Sequence, residues 1–213
     1  SVMKRMILKN WMMAALLAGA CCGFVACDDD DDNGGQTPPP TPGIEAVVGE
    51  YAGTMQIVEK QPKEGEGEGE TPIATQLEAA VTKDAIEFSE FPIRSLIAKV
   101  MNVPEDDPTV DGIIEAVGPV SYTLPYTAVM GEDKASVQMT LKPEVLKIYL
   151  GDPEADGLAI VVTISAVGEN SYTLESKALR FHLTVDQIQL GEGEDAGDPI
   201  PSGLNLDFKL TKK

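Results

Sequence analysis

The chain of 213 residues carries 35 Asp and Glu against 16 Lys and Arg, a net charge of −19 at pH 7. Binding to nucleic acid or to anionic lipid headgroups depends on Lys and Arg, so this balance argues against both for the folded part of the chain. All three Cys lie at or before position 27, so the rest of the chain has no disulfide and no thiol chemistry. About 170 residues remain for one self-supporting core.

Residues 1–26 predict a signal peptide. Three basic residues come first, and an uncharged apolar run over residues 11–25 follows them. The run is too short for a membrane-spanning helix, which needs about 20 apolar residues. The small residue Ala26 precedes Cys27, as a signal peptidase requires. The alternative is an ordinary secreted protein whose signal ends near Ala26. The basic residues are Lys4, Arg5 and Lys9.

The segment before Cys27 resembles a bacterial lipobox, in which the cysteine becomes the lipidated first residue of the mature protein. Phe24 stands where the lipobox usually has Leu. Cys21 and Cys22 are rival lipidation sites because small residues precede them. We prefer Cys27 because the chain becomes hydrophilic immediately after it. The resemblance implies a lipid anchor, and two or more acyl chains give stable membrane attachment.

Residues 27–43 predict an extended linker. The acidic run Asp28–Asp32 repels itself, and the prolines at 38–42 favour polyproline structure, so the linker could reach ~50 Å. An acidic run directly after the lipidated cysteine resembles the surface-export signal of Bacteroidetes lipoproteins. The resemblance implies an outer-membrane protein that faces outward, with a periplasm-facing orientation as the alternative. Without residues 1–26 the chain has 13 Lys and Arg, 35 Asp and Glu, and a net charge of −22.

Residues 44–213 predict a single β-rich domain, because apolar and polar residues alternate in segment after segment. In the opening strand Gly49 and Gly53 lie on the inner phase, which predicts bending or close backbone approach. The acidic, glycine-rich residues 64–70 predict a mobile hairpin loop. The alternating segments are residues 47–58, 73–81, 86–88, 120–128, 135–141, 146–150, 158–166, 172–174, 179–190 and 204–210.

At about residues 92–118 the spacing of the apolar residues changes from every second residue to that of a helix, which predicts a helical insertion. Apolar residues recur at helical spacing over residues 93–101 and again over residues 110–117. Asp107 is a predicted N-cap before Pro108. We expect the two helices to cover the open end of a sheet or barrel, and the functional alternative is a lid over a cavity.

Three local signals refine the strands. Pro125 predicts that the strand at residues 122–128 is an edge strand or contains a bulge. Gly168-Glu169-Asn170 predicts a turn. The change of phase after Val185 predicts a bulge near Asp186-Gln187.

The alternation predicts a mainly β (α+β) fold, since strands with one wet face build antiparallel sheets. We expect an antiparallel barrel or strongly curved sheet of about nine strands with a two-helix insertion, because closure removes the sheet edges. A β-sandwich is the alternative.

The opening strand, with Gly49, Tyr51, Gly53 and Met55, follows the anchor and linker described above. This layout resembles small Bacteroidetes surface lipoproteins of unknown function, some of which have a calycin-like or lipocalin-like β domain. The two central helices are not standard for a lipocalin. The resemblance implies no known activity and no known ligand.

Residues suited to catalysis are scarce. His182 is the only histidine, and it shares its strand phase with Arg180 and Thr184, so we expect it to face solvent. One histidine without cysteines argues against His/Cys metal clusters and against Cys-His or Ser-His-Asp catalysis. The acidic residues fall in loops or on outward phases. We therefore predict no catalytic residue, no cofactor and no enzyme activity.

One acidic stretch has the spacing of a calcium loop. Asp152, Glu154 and Asp156 offer oxygen ligands at alternate positions, with a glycine in the sixth. The twelfth position is Thr163 rather than Glu, and a strand follows where a calcium loop has a helix. We interpret the stretch as a hairpin turn and keep these three residues as a weak calcium candidate.

Three tyrosines on inner phases, Tyr51, Tyr122 and Tyr126, are predicted core residues rather than a platform for sugars. The single Trp lies at position 11, within the predicted signal peptide, which weakens a carbohydrate-binding interpretation.

Three functional hypotheses follow. The first is a monomeric binding module on a membrane anchor, which takes a small apolar ligand or a partner protein. The second is a structural or assembly lipoprotein that pairs with a partner through an edge strand at Tyr122 to Ala128. The third is a carboxylate-based hydrolase, which would need two inward acidic residues facing each other, and the alternation predicts none.

Overall fold

The computed structural model describes residues 43–59, 74–151, 158–193 and 196–213. Backbone contacts separate residues 1–39 from residues 40–213, and every described residue belongs to the second unit. The predicted signal peptide, the lipidation site Cys27 and the calcium candidates all lie outside the described residues. The candidates in question are Asp152, Glu154 and Asp156.

Nine strands and two α-helices make up the regular structure of the described residues. The strands are β1 (Gly49–Glu59), β2 (Ala74–Val81), β3 (Ala85–Phe88), β4 (Tyr122–Met130), β5 (Ser136–Leu141), β6 (Leu146–Leu150), β7 (Leu158–Thr173), β8 (Ala178–Leu190) and β9 (Ile200–Lys212). The helices α1 (Arg94–Met101) and α2 (Pro108–Val117) lie between β3 and β4, and a short 3-10 helix, Ile44–Val47, precedes β1.

Eight of the strands close into an antiparallel barrel. Around the ring the order is β1, β2, β3, β4, β5, β7, β8 and β9, and β9 pairs with β1 again. The ninth strand, β6, pairs with β7 beyond the end of β5. The predicted antiparallel barrel of about nine strands is confirmed. The β-sandwich alternative is wrong, because the strands form one closed sheet.

Strand β4 is not an edge strand, contrary to the prediction from Pro125. Its first half, Tyr122 to Pro125, pairs with β3, and its second half pairs with β5. The carbonyl of Pro125 accepts a hydrogen bond from the N–H of Lys142, just after β5 ends. Pro125 therefore lacks its N–H on the side where the β4–β5 ladder ends, so few hydrogen bonds between the two strands are lost. Among the described strands β6 pairs with β7 alone, and α2 contacts β6.

Strand β8 contains the predicted bulge. The register of β8 against β7 shifts between Val185 and Gln187, so Asp186 is the extra residue. The shift moves Ile188 back onto the inner face, where it is 1% exposed. A bulge is the expected result when the inward apolar phase changes within one strand.

Aromatic side chains cross the barrel interior. Phe88 on β3 and Phe181 on β8 lie on opposite walls of the ring, yet their ring centroids are 6.4 Å apart. Phe208 on β9 stacks on Phe181 at 4.4 Å and lies 5.7 Å from Phe88. At a second level Tyr51 on β1 meets Tyr172 on β7 edge-on at 6.2 Å. Side chains therefore occupy the interior at both levels.

The three inner tyrosines are core residues, as predicted. Each is at most 6% exposed, and each hydroxyl donates a hydrogen bond to a backbone carbonyl. Burial raises the pKa of Tyr122 to about 12 and also raises the pKa of Tyr51, so both hydroxyls stay protonated donors. The acceptors are Val47 for Tyr51 (2.6 Å), Glu144 for Tyr122 (2.8 Å) and Thr82 for Tyr126 (2.6 Å).

The helical insertion is confirmed, and its apolar faces join the barrel core. Leu96, Ile97 and Val110 are at most 1% exposed. The carboxylate of Asp107 accepts a hydrogen bond from the N–H of Thr109 at 2.8 Å, which is the predicted N-cap. The core is continuous across the helices and the barrel, so they act as packing elements. Neither helix has the length and apolar character that a membrane-spanning helix requires.

Gly53 permits a close approach between β1 and β9. A Cβ at this position would lie 2.1 Å from the carbonyl oxygen of Lys209 and 2.8 Å from the Cα of Leu210. Both neighbours are backbone atoms that cannot move without breaking the ladder. The predicted close approach at the inner glycine is therefore confirmed.

Phe208→Ala is expected to lower the free energy of unfolding by about 3–5 kcal/mol, because it removes the ring that contacts both opposite walls. Urea unfolding followed by circular dichroism measures the change. The control is Val129→Ala on β4, where a side chain that is 64% exposed is shortened, with an expected change within about 0.5 kcal/mol. Equal stability of the two variants would contradict a filled interior.

Candidate functional site

The candidate site is an open groove of about 560 Å³ on the outer face of β1, β9, β8 and β7. Apolar, polar and charged side chains all contribute to it. Successive side chains of a strand point to opposite faces of the sheet. The groove is therefore lined by the outward-facing residues of the same strands whose inward-facing residues form the core. The lining residues are Val58, Val167, Gly168, Glu169, Ser171, Arg180, His182, Asn205 and Asp207.

Strand register places the groove residues in rows. In one row Val167 on β7 lies opposite His182 on β8, which lies opposite Asp207 on β9. In the next row Ser171 lies opposite Arg180, which lies opposite Lys209. Residues far apart in sequence therefore become direct neighbours on one surface.

A wide bulge in β7 forms one wall of the groove. Val167 pairs with His182 and Ser171 pairs with Arg180, so β7 uses two more residues than β8 between the same two rows. Gly168 begins the bulge with φ of +63°, a conformation that favours glycine. The prediction of a turn at Gly168-Glu169-Asn170 is wrong, because β7 runs on through the bulge from Leu158 to Thr173.

Asn170 makes this bulge possible. The bulge removes the backbone acceptor that the N–H of His182 would otherwise use, and the side-chain oxygen of Asn170 accepts this hydrogen bond at 2.8 Å. Asn170 is 7% exposed and is the one buried polar residue among those described. A buried polar side chain with a defined backbone partner replaces a ladder bond at little cost.

His182 and Asp207 form a pair on the groove floor. The Nδ1 atom of His182 lies 2.8 Å from the Oδ1 atom of Asp207. Their side chains are 38% and 31% exposed, so the pair faces the groove and is partly shielded. In a neighbouring row the hydroxyl of Thr184 donates a hydrogen bond to Asn205 at 2.7 Å. These contacts hold the polar floor in one arrangement.

Arg180 stands in the same groove without a bonding partner among the described residues. The contrast is Arg94, whose guanidinium donates to the carbonyl of Glu105 at 2.9 Å and to the carboxylate of Asp111 at 2.6 Å. Lys209, opposite Arg180, donates to the neutral side chain of Gln56 at 3.4 Å. The described groove thus presents an unpaired cation.

The groove has two of the three parts of a serine-type catalytic triad. A histidine held by an aspartate is the arrangement that activates a serine, provided that the hydroxyl is within hydrogen-bond reach of the imidazole. Among the described residues no serine hydroxyl bonds to His182. Ser165 donates instead to Asp186, and Ser171 in the groove makes no side-chain hydrogen bond.

Acidic residues are not collected inside the barrel or into metal-binding groups within the described ranges. No Asp or Glu is among the buried residues that the structure describes. No group of three or more His, Cys, Asp or Glu in the described ranges could hold a metal ion. Glu192, which follows β8, is paired with Lys147.

The sequence placed His182, Arg180 and Thr184 on one outward face, and the structure confirms this. The sequence pattern could not predict that Asp207, Asn205 and Val58 lie beside them. These three residues are on other strands, and the pairing of distant strands cannot be predicted from a local pattern. Asn170 was missed because an Asn after Gly-Glu is typical of a turn. The alternation of apolar and polar residues along β8 was the one sequence signal that could identify its outward face.

Asn170→Ala is expected to lower the free energy of unfolding by about 1–3 kcal/mol, because it leaves the N–H of His182 without an acceptor. Amide exchange at His182 should become faster in the same variant. Glu169→Ala, on the exposed part of the same bulge, is the control, and a loss there as large as at Asn170 would contradict this role.

Residues 46–190 match a protein family described as a domain of unknown function (DUF4840). The match includes strands β1 to β8, both helices and the bulge of β7, and β9 lies beyond its end. No curated protein and no solved structure gave a match. The chain belongs to the DUF4840 family. Its own described residues form a closed antiparallel barrel with a helical insertion.

Proposed function

We propose that this chain is a lipid-anchored envelope protein whose barrel is a binding module, with recognition in the outer groove of β1, β9, β8 and β7. The observation that carries the proposal is the contrast between the two faces of the sheet. The inner face is occupied by packed apolar side chains, and the outer face carries a groove of about 560 Å³ with convergent polar groups. Such concave sites are where ligands bind most often.

The filled interior argues against the hypothesis of a small apolar ligand held inside the barrel. A ligand there would have to displace rings that touch across the full width of the barrel, such as Phe88 and Phe181. Eight-stranded barrels have an interior just wide enough for side chains or for one small ligand. In this barrel the side chains take that space.

Binding is favoured over catalysis by what surrounds His182. A hydrolase would need a nucleophile or a second acid within reach of a bound substrate. Asp207 is engaged by the imidazole of His182, and among the described residues the hydroxyl of Ser171 makes no hydrogen bond to that imidazole. We therefore interpret the His182–Asp207 pair as part of a preorganised polar floor.

The anchor belongs to the proposal on the strength of the sequence. The apolar run, Ala26 and Cys27 resemble a lipoprotein signal, and the acidic residues after Cys27 resemble a surface-export signal. We propose an outer-membrane location with the barrel facing outward, attached to the membrane by the lipid and otherwise monomeric. A net charge of −22 after removal of residues 1–26 keeps the domain away from anionic headgroups.

Val167→Trp tests the groove directly. The indole would occupy the space beside His182, and a ligand that binds the groove should no longer stabilise the variant. Envelope extract is fractionated, and each fraction is tested for its effect on the midpoint of thermal unfolding. A fraction containing ligand at 100 times its dissociation constant should stabilise the wild type by about 2.7 kcal/mol.

The matched control for that test is Val129→Trp, the same change at an exposed position on β4 outside the groove. It should respond to the active fraction as the wild type does. If the active fraction stabilises Val167→Trp as strongly as the control, recognition takes place elsewhere on the protein.

Cys27→Ser tests the anchor. Growth with radiolabelled palmitate should label the wild type, and this variant should lose both the label and its membrane association. Cys21→Ser and Cys22→Ser should keep both properties, which separates the preferred site from its rivals. Persistent labelling of Cys27→Ser together with loss of label in either other variant would move the anchor upstream.

A further inference from the structure

We propose that the groove takes a small amphiphilic carboxylate, whose anionic head is bound by Arg180 and whose apolar part lies against Val58 and Val167. The inference rests on the proposed binding role of the groove and names the chemistry of what it binds. Its evidence is an unneutralised pair of cations, the state of the nearby acids, and the two exposed valines.

The first observation is that Arg180 and Lys209 lie directly opposite each other on β8 and β9. Like charges at directly opposed positions of an antiparallel pair destabilise the sheet. Neither cation forms an ion pair with an acid among the described residues: Arg180 has no bonding partner there, and Lys209 donates to the neutral Gln56. The chain has more than twice as many acidic as basic residues, so an unrelieved cation pair is not forced by composition.

The second observation is the geometry of the guanidinium donor. Arg offers a planar fork of N–H groups that matches the two oxygens of a carboxylate, and such charge-assisted pairs are about twice as strong as neutral hydrogen bonds. Arg180 lines the groove, so its donors are accessible to a ligand. Arg94 shows the fully satisfied alternative on the same protein, with a carbonyl and a carboxylate as partners.

The third observation is the state of the two acids in the groove. The carboxylate of Asp207 lies 2.8 Å from the imidazole of His182, so one of its oxygens already has a partner. Glu169 stands on the exposed bulge of β7 and lies in the groove lining. A fixed negative charge there repels a dianion more strongly than a monoanion. With one arginine and one exposed acid in the groove, a ligand with a single carboxylate is favoured over a phosphate.

The fourth observation is that two valines are exposed in this groove. Val58 on β1 and Val167 on β7 are 38% and 37% exposed, on either side of the polar floor. Apolar surface at the edges of a polar floor favours a ligand that has both a charged head and an apolar part. A highly hydrated anion without such a part would leave both side chains in water.

The test uses the full-length protein, labelled with ¹⁵N, and four probes at fixed ionic strength. The probes are hexanoate, acetate, hexylammonium and inorganic phosphate. Hexanoate should shift the amide signals of Ser171, Arg180 and His182 in a saturable way and should bind at least tenfold more tightly than hexylammonium. Acetate and phosphate should bind more weakly than hexanoate, since each lacks the apolar part.

Arg180→Gln should weaken hexanoate binding about tenfold, in line with the loss of a charge-assisted pair. Its unfolding midpoint should be unchanged or higher, because the repulsion from Lys209 is removed. Lys83→Gln, which removes one positive charge from the turn between β2 and β3, is the matched control and should bind hexanoate as the wild type does. If Arg180→Gln does not fold, Lys209→Gln provides the second variant, with a smaller loss of affinity in the same direction.

Equal groove shifts with hexanoate and hexylammonium would overturn the anion preference and leave the groove itself as a binding site. Tighter binding of phosphate than of hexanoate would likewise overturn the carboxylate assignment. Absence of saturable shifts with every probe would also overturn it, and the Val167→Trp experiment would then decide separately whether the groove binds anything.

Discussion

Contact between opposite walls of the barrel is the constraint on which the rest of the structure depends. Phe88 on β3 reaches Phe181 on β8, and Phe208 joins them from β9. Once these rings meet, the interior is a core of buried apolar side chains. Phe91, just before α1, lies 5.1 Å from Tyr122 and 6.2 Å from Phe208, so the helical insertion is held by the same cluster.

A filled barrel leaves its outer surface as the place where we propose that recognition occurs. The four strands of the groove are joined by closure, which brings β9 between β1 and β8 and so places Val58, Asp207 and His182 on one surface. The β7 bulge then raises one wall of that surface, and Asn170 keeps the local hydrogen bonding complete. Bulges next to functional surfaces are common because they redirect side chains without breaking the sheet. Arg180 and Lys209 lie directly opposite each other on this surface, where like charges are expected to destabilise a sheet.

Much of the fold could be predicted from the sequence, because alternation and helical spacing are local properties. The inner tyrosines, the bulge at Asp186 and the cap at Asp107 follow from patterns within ten residues. The two errors have one cause. Gly, Asn and Pro are typical of turns and strand ends. In this protein, pairing with neighbouring strands keeps Gly168-Glu169-Asn170 and Pro125 inside continuous strands. The groove could not be predicted, since it depends on which strands become neighbours and in what register.

The most direct measurement of the central claim is titration with N-phenyl-1-naphthylamine, a neutral apolar dye that fluoresces when it enters an apolar cavity. A barrel filled by Phe88, Phe181 and Phe208 predicts no saturable rise in fluorescence with the folded protein. Saturable one-to-one binding that persists in Val167→Trp would contradict it, because the dye would then occupy an interior that side chains were supposed to fill.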